Sequence, residues 1–155
     1  MSNRQLCHIV CFGNPLHGDD GFGPAVYQRL AALPLPDNVR VFDAGTPGLA
    51  ALALFQGCHE VMIVDAVASG GIPGKLSRLS PNVVTAEITL PGHGIGVGYL
   101  LKAVAALPDC PRIEIIAAEI LGAAPFRPGL SKPVRQAVDD AFVLLEKYAE
   151  QVSRQ

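Results

Sequence analysis

The sequence predicts an α/β fold: a three-layer α/β/α arrangement with a mostly parallel, twisted sheet of about five strands and helices on both faces. Three observations lead there. Short apolar runs alternate along the chain with segments of helical apolar spacing. The first three strand-like runs each empty into a loop that opens on glycine or aspartate. Half of the 155 residues are hydrophobic and 17% are charged, which is apolar enough for a real core and too weakly charged for disorder.

Residues 6–12, Leu-Cys-His-Ile-Val-Cys-Phe, make the first predicted strand. Residues 24–33 have helical spacing, with Pro24 in the first turn, where a missing N–H costs little. Residues 39–42 form a short second strand that stops at Asp43, and residues 49–56 suit a helix. Residues 60–64, Glu-Val-Met-Ile-Val, form a third strand ending at Asp65. The pattern then loosens: 75–79 reads as an edge strand, 87–90 as another, and 95–107 as helical despite its glycines. Residues 112–120 alternate into a further strand. The last element, 131–152, opens on Ser131 as an N-cap and carries Val134, Val138, Ala141, Phe142, Leu145 and Tyr148 as a helical stripe.

No repeat, linker or low-complexity segment interrupts the chain, so residues 1–155 are expected to form a single domain. The net charge of −2, without a basic cluster, argues against nucleic acid as a partner. No apolar stretch approaches the ~20 residues that span a membrane. The start, Met-Ser-Asn-Arg-Gln, shows no cleavage-site pattern, so a cytoplasmic protein is expected. Cys7, Cys11, Cys58 and Cys110 match no metal-binding spacing. Cys7 and Cys11 share a strand face about 13 Å apart, too far to pair, and read as small buried apolar residues in a reducing compartment.

The chemistry concentrates in residues 13–23, Gly-Asn-Pro-Leu-His-Gly-Asp-Asp-Gly-Phe-Gly. Two carboxylates, Asp19 and Asp20, stand where a phosphate-binding loop would carry Lys and Ser or Thr. They would repel a phosphate and attract a cation. Asp43 and Asp65 end the second and third strands, and His93 follows residues 87–90. Parallel strands would bring all five side chains to one sheet edge, where open α/β folds bind ligands. Acidic residues at strand ends also cap the helices that follow, which is the plain alternative. His93 could equally be a loop histidine bonded to a backbone carbonyl. Two carboxylates and an imidazole suit a borderline divalent cation, and calcium less, because histidine is a poor ligand for it. His17, inside the acidic loop, is a reserve ligand, as is Asp19. His8 reads as packing and His59 as lying at the opposite, amino edge. Close carboxylates could instead share a proton as an acid–base pair, with Asp65 and one loop aspartate the natural partners.

With these motifs the chain resembles the [NiFe]-hydrogenase maturation endopeptidases, small α/β proteins that cut a short C-terminal extension from the hydrogenase large subunit after nickel insertion. The resemblance rests on Gly13 to Gly23, on Asp43-Ala44-Gly45-Thr46-Pro47-Gly48, on Ile63-Val64-Asp65-Ala66, on the glycines around His93, and on Phe126-Arg127-Pro128-Gly129-Leu130-Ser131. It implies metal contact by Asp20, Asp65 and His93, with Asp20 and Asp65 also catalytic. It implies substrate contact around Asp43, Gly45 and Thr46, leaving open whether Asp43 binds substrate or shapes its loop. The metal implied is nickel carried by the substrate, the large-subunit precursor, with no organic cofactor; a monomer is the default expectation for the free protein. Catalysis could run through metal polarisation of the scissile carbonyl or through a carboxylate acting as general base on water.

Two functions fit these residues. One is the processing endopeptidase. The other is a non-catalytic nickel-sensing checkpoint that binds the loaded large subunit without hydrolysis. A nucleotide-binding domain is disfavoured by the acidic loop, and the sequence has no Gly-x-Ser-x-Gly elbow. By position, loops 66–74 and 123–130 are expected to meet the partner.

Overall fold

The structure, a computed structural model, describes residues 4–46, 48–68, 71–82, 97–124 and 126–155. Five strands form one sheet in the order β2-β1-β3-β5-β4. These are β1 (Cys7–Phe12), β2 (Val39–Gly45), β3 (Glu60–Val67), β4 (Leu76–Leu79) and β5 (Arg112–Glu119). All neighbours pair in parallel except β4, which runs antiparallel to β5 at the edge. The helices are α1 (Phe22–Ala31), α2 (Gly98–Ala105) and α3 (Lys132–Ser153), with 3-10 turns at Gly18–Gly21 and Leu49–Phe55.

Strand alternation splits the core into two layers, as period-two side chains require. On one face Ile9, Cys11, Met62, Val64 and Ile116 pack under Val26 and Leu30 of α1 and Val138, Ala141 and Leu145 of α3. On the other, Val10, Phe12, Ile63 and Ile115 pack under Phe55 of the second 3-10 turn and Leu100, Leu101 and Val104 of α2. From Val61 to Val67 every residue of β3 is buried, and all but Asp65 are apolar, the pattern of a central parallel strand covered on both faces. The three-layer expectation is therefore met. Among the described residues no helix is long and apolar enough to cross a membrane.

Cys7 and Cys11 are unpaired and buried on one face, and burial pushes the Cys7 thiol up to about 12. Such a thiol is inert.

Several boundaries differ from the sequence expectation, each for a reason of pairing. β2 runs on to Gly45, because Phe12 of β1 pairs with Gly45 across a register shift. β3 runs past Asp65 to Val67, because β5 accompanies it as far as Glu119. Residues 49–55 wind as a 3-10 helix rather than an α-helix. Ser131 does occupy the N-cap of α3, but its hydroxyl makes no cap bond to the helix. The expected strand 87–90, the start of the helix expected at 95–107, and His93 lie outside the described residues.

Candidate functional site

The connection after β1 goes to one face, through α1, and the connection after β2 to the other, through the Leu49–Phe55 turn. Since β1 lies between β2 and β3, the chain reverses its direction of travel across the sheet at β1. The crevice at the carboxyl end of β1 and β3 is the topological switch point, the ordinary ligand site of open α/β sheets. β1 stops at Phe12 while β3 continues to Val67, so beyond Val64 the flank of β3 on that side has no strand beside it. The loop after Phe12, which carries Asp20, starts from that gap.

Two glycines make this close approach possible. Gly13 has φ +143°, and a Cβ there would collide with the Asp20 carbonyl oxygen. Gly23 lets the start of α1 lie against the Phe12 carbonyl, where a Cβ would also collide. Asn14 then fixes the acidic residue from below. Its backbone N–H donates both to the Asp20 carbonyl (3.2 Å) and to the Asp20 carboxylate (3.1 Å). The Asn14 side chain accepts from the Leu16 N–H at 2.9 Å, an Asx turn that the Asn-Pro pair favours.

Asp20 and Asp65 lie at the same sheet edge, near enough for the charge of Asp20 to act on Asp65. Asp65 is only 5% exposed, and the Ala66 N–H donates to its carboxylate at 2.8 Å. Burial raises its pKa well above the usual carboxylate range; the Ala66 bond opposes this and the charge of Asp20 adds to it. Asp20 is half-buried and is raised too, first by burial, with the Asn14 bond and nearby His17 pulling the other way. Among the described residues neither carboxylate takes part in an ion pair. Two close carboxylates without a cation are an electrostatic deficit that a bound cation, or a shared proton, would relieve. Among the described residues no three metal-ligating side chains gather; the third expected ligand, His93, is outside them.

Asp43 stands at the same sheet edge but toward the other face. Val41 of its strand packs in the α1–α3 layer and Phe42 in the other, whereas Asp65 shares the parity of Ile63 and Val67. Asp43 lines a surface cavity of about 280 Å³ with Gly18, Gly21, Pro24, Gln28 and Leu130. Its carboxylate is exposed and meets the Gly45 N–H at a long 3.4 Å. Gly45, at φ +65°, offers its carbonyl to the Gly13 N–H at 2.9 Å and so ties the two loops together. Thr46 is exposed beside it.

Asp19 points away from this pair. Its two oxygens accept from the Ser131 N–H (2.7 Å) and the Ser131 hydroxyl (2.8 Å). His17 sets its ring edge-on to Phe126, 5.6 Å between centroids. Phe126 is 82% exposed at φ +59°, a backbone conformation unusual for an aromatic residue. His8 and His59 are spoken for elsewhere: His8 bonds the Leu54 carbonyl and packs on Phe42, and His59 accepts from the Leu6 N–H at the amino edge. Asn14, Ser131 and Phe126 lie in motifs quoted from the sequence, Ser131 also as an N-cap, but sequence reasoning gave none of them a part in the site. Only Asn14 carried a local signal, its place between Gly13 and Pro15.

Fold and site together define an α/β protein with a carboxylate pair at its switch point, and comparison with known proteins specifies the family. The family model described as hydrogenase maturation protease matches residues 24–148. A Methanocaldococcus jannaschii protein assigned to the hydrogenase maturation proteases is 31% identical, over 94% of this chain and 96% of that protein. The hydrogenase 3 maturation protease of Escherichia coli K12 is 27% identical, over 89% of this chain and 87% of that protein. The solved structure of the E. coli hydrogenase maturating endopeptidase HybD superposes with a TM-score of 0.81 at 22% identity, covering 94% and 93% of the two chains, and supports the fold. This chain belongs to the hydrogenase maturation protease family and is a peptidase.

Proposed function

We propose that this peptidase removes the C-terminal extension of the nickel-loaded [NiFe]-hydrogenase large-subunit precursor, with Asp20 and Asp65 as its working carboxylates. The observation that carries this is the placement of Asp20 and Asp65, the charge of one acting on the other and neither in an ion pair among the described residues, at the switch-point crevice of a family protease. Nickel belongs to the substrate. It would be sensed by Asp20 and Asp65, with His93 proposed as the third contact on the sequence motif alone. The oxygen pair fits a divalent cation, whose charge would offset the mutual repulsion that otherwise opposes ionisation of both carboxylates.

For the hydrolytic step a carboxylate with a raised pKa is the better general base, since its basicity approaches the working pH. Asp65, raised by burial, is suited to take a proton from water attacking the scissile carbonyl. Asp20, more open, is suited to face the substrate's metal.

A protein substrate is supported by the rim of the site. Leu16, Ile72, Leu121 and Phe126 are all exposed in loops at the carboxyl edge. Leu16 precedes His17 in sequence and the Phe126 ring meets the His17 ring in space, and the Ile72 turn is held to β5 by the Gly74 N–H bond to the Glu119 carbonyl (2.7 Å). Large exposed apolar side chains on the loops of one sheet edge suit the docking of a protein substrate. The proposal includes a cytoplasmic location, in keeping with four unpaired cysteines.

The test is incubation of the protein with large-subunit precursor in nickel-loaded and nickel-free forms, read by mass spectrometry. Loss of a short C-terminal peptide from the loaded form alone is expected. Equal cleavage of both forms would contradict nickel sensing, and no cleavage of either would contradict the substrate.

A further inference from the structure

We propose that Asp19 is a positioning residue: it staples the acidic loop to the start of α3 and thereby holds Asp20 toward Asp65. The inference rests on Asp20 and Asp65 being the working carboxylates.

Asp19 and Asp20 are adjacent in sequence but serve opposite sides. Asp20 accepts from Asn14 within the loop and acts on Asp65 by its charge. Asp19 accepts twice from Ser131, 112 residues along the chain. The loop is otherwise glycine-punctuated, with Gly13 and Gly18 both at positive φ, so its own backbone preferences do not fix one shape. What it is stapled to is firm. α3 is 22 residues long and buries Val134, Ala137, Val138, Ala141 and Leu145 in the core. The amides at a helix start lack intrahelical acceptors, and Ser131 does not cap the helix with its own hydroxyl. The Asp19 carboxylate takes the Ser131 N–H from outside, and its negative charge suits the helix N-terminus. Two further bonds run the same way, His17 carbonyl to Ala124 N–H at 3.2 Å and the bridge between His17 and Arg127. The acidic loop is thus docked along the segment that leads into α3, with Asp19 its only carboxylate anchor among the described residues.

The same geometry supplies a discriminating substitution. In Asp19→Asn the amide oxygen can still accept from the Ser131 N–H, and the amide nitrogen can donate to the Ser131 hydroxyl oxygen. The staple survives while the charge and the proton-carrying capacity are lost. Asp19→Ala removes the staple. In precursor cleavage, Asp19→Asn is expected to stay within about threefold of wild type, whereas Asp19→Ala loses about tenfold or more in kcat with KM little changed, as misplacement of a working group does. Ser131→Ala should fall between, and adding it to Asp19→Ala should cost nothing further. Asp19→Asn as inactive as Asp20→Asn would overturn the proposal, because Asp19 would then touch metal or proton. Full activity of Asp19→Ala would overturn it as well. Backbone hydrogen exchange of residues 13–21 reads the staple without any substrate: slow in wild type and Asp19→Asn, faster in Asp19→Ala. Unchanged exchange in Asp19→Ala refutes the staple, whereas inactivity of the wild type toward the precursor indicts the substrate reading instead.

Discussion

At the scale of the residue, Asp65 carries a conflict between stability and work. A carboxylate that is 5% exposed and close to a second carboxylate is costly to ionise. Because its folded pKa lies above the ordinary value of 3.8, the stability it contributes is full below about pH 4 and is lost as pH rises through the raised folded value. Asp65→Asn removes that loss while keeping an acceptor for the Ala66 N–H. The variant should melt higher than wild type near neutral pH, by about 2–4 °C for each kcal/mol of relief, and show no advantage near pH 4. Thermal melts of both proteins at the two pH values check this; equal melting at neutral pH would show that Asp65 is not strained by its charge. The identity of such residues was legible early, because aspartates at strand ends stand out in an apolar chain. Their division of labour was not. Nothing in Asp19-Asp20 says which turns toward Asp65 and which toward Ser131, since that depends on a contact spanning 112 residues. Asp43 was likewise placed at the right edge, but its face follows from strand parity, which requires the register of β2.

At the scale of the element, periodicity found the strands and helices, and pairing set their lengths. β3 illustrates this: its apolar run was plain, yet its extension past Asp65 depends on β5 beside it. The Leu49–Phe55 segment had helical apolar spacing but adopts a 3-10 form, because the same spacing also serves the tighter helix over so short a span. Close approach of elements is harder still to read from sequence. Gly23, inside α1, reads as a helix-weakening residue whose replacement by Ala would gain up to about 1 kcal/mol of propensity. In the structure its Cβ would strike the Phe12 carbonyl, part of a buried strand that cannot give way. The clash wins, so Gly23→Ala is expected to destabilise by about 1–3 kcal/mol in urea unfolding. Gly122→Ala, with open space around it, should change stability by less than about 0.5 kcal/mol. Equal effects of the two would mean that α1 does not sit this close to β1.

At the scale of the whole molecule, the order β2-β1-β3-β5-β4 turns local strand ends into one site. The loops after β1, β3 and β5 surround it and supply Asp20 and the exposed apolar rim, while Asp65 comes from the end of β3 itself. If that rim receives the precursor, serines in place of Leu121 and Phe126 should raise KM about tenfold and leave kcat within about twofold, since they weaken binding without touching the reacting groups. Steady-state cleavage kinetics separate the two parameters; an unchanged KM would place the partner elsewhere. The fold class was readable from the sequence because alternating strand and helix signals leave few layer arrangements. The meeting of Asp20 with Asp65 needed the switch point at β1, which only the strand order reveals. That meeting is best tested by the rate at which Asp20→Asn and Asp65→Asn cut nickel-loaded precursor, with folding of each variant verified by its melt. Both should fall by about 10²-fold or more, the usual contribution of a positioned acid or base. Cleavage by either variant at the wild-type rate would contradict the assignment of the carboxylate pair as the working centre.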